Sequence, residues 1–134
     1  MPEDPRALQK ATILVVDDEA DIVDIVSEVL TGAGYEVLVA RDGEAATEVF
    51  SQHSESIAAV ILDLTMPRKT GLDVLKDIRR MRTDTPVLLS SGFSQDDVTG
   101  QLEGLGVAAF MRKPYRFREL LARLAEVLEG TGPG

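Results

Sequence analysis

Ile57-Ala58-Ala59-Val60-Ile61-Leu62-Asp63 is a short apolar run that ends on a carboxylate, and Ile13-Leu14-Val15-Val16-Asp17-Asp18-Glu19 repeats the pattern. Apolar runs of this length, bounded by polar turns, read as strands buried on both faces. Strands of that kind belong to a parallel sheet with helices on either side. In such folds ligands bind where the strands end, outside their carboxyl edge. Asp63 would therefore lie beside Asp17 and Asp18 at that edge. Three clustered carboxylates repel one another, and a bound hard cation is the usual remedy.

Outward from these two runs, strand and helix patterns alternate along the chain. Thr12 to Val16 reads as a strand and Ala20 to Leu30 as a helix presenting Ile22, Ile25, Val26, Val29 and Leu30, stopped by Gly32 and Gly34. Tyr35 to Ala40 is a second strand, and Gly43 to His53 a helix with Ala45, Ala46, Val49 and Phe50 inward. Ile57 to Leu62 is the third strand, after which Thr70 is placed to cap a helix over Gly71 to Arg82 that turns Leu72, Leu75, Ile78 and Met81 inward. Pro86 to Ser90 is the fourth strand, with proline where a missing donor is tolerated. Gln95 to Gly104 is a thinly apolar helix and Val107 to Met111 the fifth strand. The last helix, Tyr115 to Glu129, buries Phe117, Leu120, Leu121, Leu124 and Leu128. Five strands alternating with five helices imply an α/β fold, a doubly wound parallel sheet covered on both faces. Residues 1–10 read as a leader or linker, 11–129 as the folded domain, and 130–134 as a flexible tail.

Composition narrows the function. At 134 residues, with 44% hydrophobic and 28% charged content, the chain suits one globular domain. No stretch reaches the roughly 18 to 20 apolar residues of a membrane span, so no membrane contact is expected. A net charge of -9 argues against binding nucleic acid. The absence of cysteine removes thiolate chemistry and suits a cytoplasmic setting.

The strand ends carry the chemistry. They supply Asp17, Asp18 and Asp63, then Ser90 and Ser91 before Gly92, then Lys113 before Pro114. Oxygen ligands without histidine or cysteine favour magnesium over zinc. A lysine and a hydroxyl beside an acid and a metal are what a phosphoryl group requires, and an aspartate can itself be the nucleophile. Simpler roles are available to each residue alone. Asp17-Asp18-Glu19 would suit any helix N-terminus, Asp63 could cap a turn before Pro67, and His53 reads as a surface residue at a helix end.

Taken together, Val15-Val16-Asp17-Asp18-Glu19, Ile61-Leu62-Asp63-Leu64-Thr65-Met66-Pro67, Gly71, Ser91-Gly92 and Lys113-Pro114 resemble the response-regulator receiver domain of two-component signalling. The resemblance implies a flavodoxin-like (βα)5 fold with strand order 2-1-3-4-5. It implies a phosphoacceptor, Asp63, loaded by a histidine kinase or a histidine phosphotransfer domain. Mg²⁺, or Mn²⁺ in its place, would be held by Asp17, Asp18, Asp63 and the backbone carbonyl of Thr65. Lys113 and Ser91 would contact the phosphoryl group, and Ser91 with Phe110 would form the switch. Of the two serines, Ser91 keeps the spacing from Pro86, while Ser90 would point to the other face. Phe110 lacks the hydroxyl of the tyrosine common at its position. Thr65 and Phe93 stand where hydrolysis of the acyl phosphate is tuned, and the pair would shield the site partly from water. The implied output surface is the face of the fourth helix, fifth strand and fifth helix, which would meet a downstream protein or a second copy. The implied activity stops at phosphotransfer and autodephosphorylation. A softer resemblance, carried by Leu88 to Phe93 and Lys113-Pro114-Tyr115, is to the C-terminal receiver of hybrid sensor histidine kinases. The competing chemical reading is a Mg²⁺-dependent aspartyl-phosphate phosphatase, but Thr65 stands where its second aspartate belongs. A flavodoxin is disfavoured because carboxylates replace a phosphate-cradling loop.

Overall fold

The computed structural model of the chain describes residues 11–130; the leader expected over 1–10 and the tail residues 131–134 lie outside the described residues. The elements are β1 (Thr12–Val16), α1 (Ala20–Gly32), β2 (Glu36–Ala40), α2 (Gly43–His53), β3 (Ile57–Asp63), α3 (Gly71–Met81), β4 (Val87–Ser91), α4 (Gln95–Leu102), β5 (Val107–Arg112) and α5 (Phe117–Gly130). The strands form one parallel sheet in the order β2-β1-β3-β4-β5. This is the flavodoxin-like arrangement expected. The chain direction across the sheet reverses between β1 and β3, so their carboxyl ends flank the crevice where such folds bind ligands.

Alternation along each strand divides the core in two. Leu14, Val16, Val60, Leu62, Val87 and Leu89 pack toward α2, α3 and α4, through Phe50, Val74, Leu75, Ile78 and Val98. Ile13, Val15, Ala59, Ile61 and Leu88 face α1 and α5, through Val26, Leu30, Leu120 and Leu124. The central strands β1, β3 and β4 are apolar on both faces because both faces are covered.

Two helical faces differ from the periodicity reading. On α1 the buried residues are Val23, Val26 and Leu30, while Ile25 is 43% exposed. Both apolar stripes have helical spacing, and only tertiary packing, against β2 and β1 and then α5, selects between them. On α3 Val74 is buried with Leu75 and Ile78, and Met81 is 38% exposed where the helix ends. Strand boundaries shift by a residue for hydrogen-bonding reasons. Tyr35 donates its N–H to Leu30 O rather than to a neighbouring strand. Pro86, which has no N–H, contributes only its carbonyl, to Val60. Thr70 caps α3 in a reciprocal box, accepting from Asp73 N–H at 3.3 Å while Asp73 Oδ2 accepts from Thr70 N–H at 3.1 Å.

Candidate functional site

The ends of β1, β3, β4 and β5 converge on one acidic depression. Asp17 and Asp63 are each 3% exposed, whereas Asp18 is exposed. One carboxylate oxygen from each of the three lies within 4.8 Å of the others. Asp17 and Asp63 are locked in the same way: each Oδ1 accepts the N–H two residues on, from Glu19 and from Thr65, both at 3.0 Å. Those bonds fix one oxygen of each carboxylate and leave the other facing the depression. Asp63 therefore does cap its own turn, which was its simpler role, and its second oxygen remains for chemistry.

Lys113 is the local cation. Its Nζ lies 2.8 Å from Asp17 Oδ2, 3.4 Å from Asp63 Oδ2 and 3.5 Å from Glu19 Oε1. Burial works against its charged form, but Asp17 and Asp63 outweigh burial and hold its pKa above the ordinary lysine value. Asp63 is pushed the other way. Burial first and the neighbouring Asp17 second raise its pKa to about 7, against the opposing pull of Lys113 and the Thr65 N–H. One ammonium among these carboxylates thus leaves Asp63 reluctant to ionise. The donor set is hard, anionic and oxygen-only, which fits a magnesium-sized divalent cation and no soft metal.

The register of β4 separates its two serines. Ser90 pairs with Asp63 across the β3–β4 ladder, and its carbonyl accepts the Leu64 N–H at 2.8 Å. Ser91 is fully buried; its Oγ accepts the Phe93 N–H at 3.0 Å, and its carbonyl accepts the Lys113 N–H at 2.7 Å. Ser91 lies two residues beyond Leu89, whose register partner is Phe110. Phe110 packs on the same side of the sheet as Leu89, half-buried. The Lys113–Pro114 peptide is cis.

Other residues differ from expectation or were not foreseen. Phe93 is 55% exposed, and with Thr65 it lines an open cleft of about 740 Å³. Tyr115 stands near the carboxylates, and burial, then Asp17, raise its phenol pKa to about 12. Gly71 matched a motif without an assigned role; here a Cβ would lie 2.3 Å from Asp63 O and 2.6 Å from Leu64 Cα. No local sequence signal reports that approach, because it joins a strand end to a helix start across a loop. Among the described residues, no helix is long and apolar enough to cross a membrane.

Comparison with known proteins gives one family. A sequence profile of the response regulator receiver domain matches residues 13–125. The transcriptional regulatory protein CpxR of Klebsiella pneumoniae is 36% identical over 116 residues, covering 87% of this chain and 48% of CpxR. The phosphate regulon transcriptional regulatory protein PhoB of Pseudomonas aeruginosa is 35% identical over 127 residues, 92% of this chain and 54% of PhoB. The chain thus spans about half the length of these curated relatives. Among solved structures, the CheX-CheY-BeF3-Mg complex of Borrelia burgdorferi superposes with a TM-score of 0.85 at 26% identity, covering 92% of this chain and 93% of that one.

Proposed function

This chain belongs to the response regulator receiver domain family, and from that premise we propose that Asp63 is the phosphoacceptor of a two-component phosphorelay. The observation that carries the proposal is the meeting of Asp17, Asp63 and Lys113, drawn from three separate strand ends onto one depression. In the transfer, a carboxylate oxygen of Asp63 forms a bond to phosphorus as the phosphorus–nitrogen bond of a phosphohistidine breaks. The imidazole nitrogen leaves with the electron pair.

The residues divide the work. Thr65 N–H orients the Asp63 carboxylate through Oδ1, while Lys113 faces Oδ2 and neutralises charge on the incoming phosphoryl group. Asp17, Asp18, Asp63 and the Thr65 carbonyl would hold Mg²⁺ or Mn²⁺. When bound, that cation supplies charge neutralisation to the carboxylates and to a phosphoryl oxygen. It also favours the ionised nucleophile against the burial that raises the Asp63 pKa. Ser91 Oγ, which accepts from Phe93 N–H, would turn its own O–H to donate to a phosphoryl oxygen, and Phe110, on the same side of the sheet, would repack with it. That change reaches the surface of α4, β5 and α5, where we place contact with a downstream protein or a second copy.

The partners we assign are a histidine kinase or histidine phosphotransfer domain, in the cytoplasm. CpxR and PhoB are transcriptional regulators that this chain matches over about half their length, so output through an attached regulator is one arrangement. Membership of a hybrid histidine kinase is the other. The flanking gene sequence decides between them.

Incubation with Mg²⁺ and acetyl phosphate or beryllofluoride tests the chemistry by intact mass and by NMR. One adduct is expected, and it should disappear in Asp63→Asn and without Mg²⁺. An adduct surviving either change would overturn the mechanism. Sustained turnover of phosphomonoesters would favour a phosphatase instead.

A further inference from the structure

The loop between β3 and α3, residues 64–70, carries the Thr65 carbonyl and is held at both ends. At its stem, Gly71 N–H donates to Leu64 O at 3.0 Å, and Gly71 lies against the Asp63 carbonyl. Within the loop Arg68 takes a φ of 62°, the left-handed conformation that turns the chain sharply. On the outer side Lys69 is wedged between two helices. Its stem lies on the first residue of α2, where a Cβ on Gly43 would come within 2.6 Å of Lys69 Cβ, Cγ and O. Its ammonium reaches α3, with Nζ 2.6 Å from Asp77 Oδ2. The same oxygen accepts the hydroxyl of Thr47, from α2, at 3.0 Å, and Asp77 Oδ1 accepts from the Arg80 guanidinium.

The Lys69 and Asp77 side chains are 28% and 17% exposed, so this is not a freely solvated surface pair. Lys69 above all, against the opposing effect of burial, and then Arg80 and Thr47 hold the Asp77 carboxyl below the usual carboxylate range. A flexible loop would have to be ordered when its carbonyl engages a cation that demands strict geometry. Here α2 and α3 already order it.

We infer that Lys69, Asp77 and Thr47 form a positioning clamp that presets the Thr65 carbonyl for the divalent cation. The inference rests on the function proposed above. Lys69 is a positioning residue that acts through the loop. The competing role is a plain staple between α2 and α3, which would support stability and leave cation affinity unchanged.

Mg²⁺ titration of the full chain, followed by NMR shifts and calorimetry, separates these roles when paired with melting in metal-free buffer. Lys69→Met keeps the stem on Gly43 and removes the ammonium. It should weaken Mg²⁺ binding by about tenfold, the lower range for partners that orient a metal's ligands. Amide exchange at Thr65 and Met66 should quicken, and the Asp63 adduct should still form at saturating Mg²⁺. Thr47→Val should shift affinity in the same direction by less, and Lys69→Arg should recover most of it. Should Lys69→Met fail to fold, Asp77→Asn carries the same expectation and Thr47→Val the smaller one. Mg²⁺ affinities within about twofold of wild type in the folded variants, outside the range for such partners, would overturn the clamp. A wild-type protein that binds no Mg²⁺ would instead overturn the function proposed above.

Discussion

Lys113 Nζ lies 2.8 Å from Asp17 Oδ2, although 96 positions separate the two residues in the chain. The contact makes Lys113 the counter-charge of a carboxylate that is almost fully buried. Removing it leaves Asp17 and Asp63 facing each other without a local cation. Lys113→Met should therefore destabilise the metal-free protein by about 3 kcal/mol. Mg²⁺ should restore more stability to the variant than to wild type, because the ammonium no longer competes for the same oxygens. Urea unfolding with EDTA and with Mg²⁺ measures both effects. Equal stability of variant and wild type in EDTA would contradict the assignment.

Asp63 gives a pH dependence of definite sign. Its pKa rises from 3.8 to about 7 on folding, chiefly through burial and then through Asp17. The folded state then holds a proton that the unfolded state has released, so this group lowers stability as pH climbs from about 4 to about 7. Every tenfold difference in proton affinity between the two states is worth roughly 1.4 kcal/mol. Asp63→Asn should be more stable than wild type at pH 8 without metal, with the gap closing below pH about 4. Thermal melts across that range test the sign, and Mg²⁺ should narrow the gap at pH 8.

Two glycines should respond oppositely to alanine. At Gly71 the new Cβ would meet backbone atoms at 2.3 and 2.6 Å, and backbone cannot rotate aside. Gly71→Ala should cost about 2 kcal/mol or more and disturb adduct formation at Asp63. Gly100 lies in α4 with nothing within 4 Å of its Cβ direction. Gly100→Ala should stabilise by about 0.5–1 kcal/mol. Chemical denaturation of both variants provides the comparison.

Arg79 holds the exit from α4. Its guanidinium donates to Leu105 O at 2.7 Å, Gly106 O at 3.0 Å, Thr85 O at 2.8 Å and Arg82 O at 3.3 Å. Arg79→Met would strip those carbonyls of their donor and should destabilise by about 1–3 kcal/mol. Faster amide exchange should follow in the loop between α4 and β5. Arg79→Lys should rescue little, because one ammonium cannot span a fork of acceptors. Exchange rates unchanged in both variants would contradict the hold of Arg79 on that loop.

The sheet was legible because its signal is local. Val60, Ile61 and Leu62 are apolar in sequence and buried on both faces in the fold, and each strand ends at or within a residue of a polar turn. Helix faces were less legible. Ile25 and Val23 both lie on helically spaced apolar stripes of α1, and the identity of the packing partner selected Val23. Gly71 was visible as a motif residue, but its approach to the Asp63 carbonyl was not.

By itself the sequence determined the alternation of elements, the parallel sheet and which residues end each strand. Period and composition report how a segment meets its immediate surroundings, and a buried strand declares itself without reference to its neighbours. Only the tertiary structure decided that Lys113 bridges Asp17 and Asp63, that burial and Asp17 make Asp63 hard to ionise, and that Lys69 ties its loop to α2 and α3. Those properties depend on through-space distance and on exclusion of water, which separation along the chain does not encode.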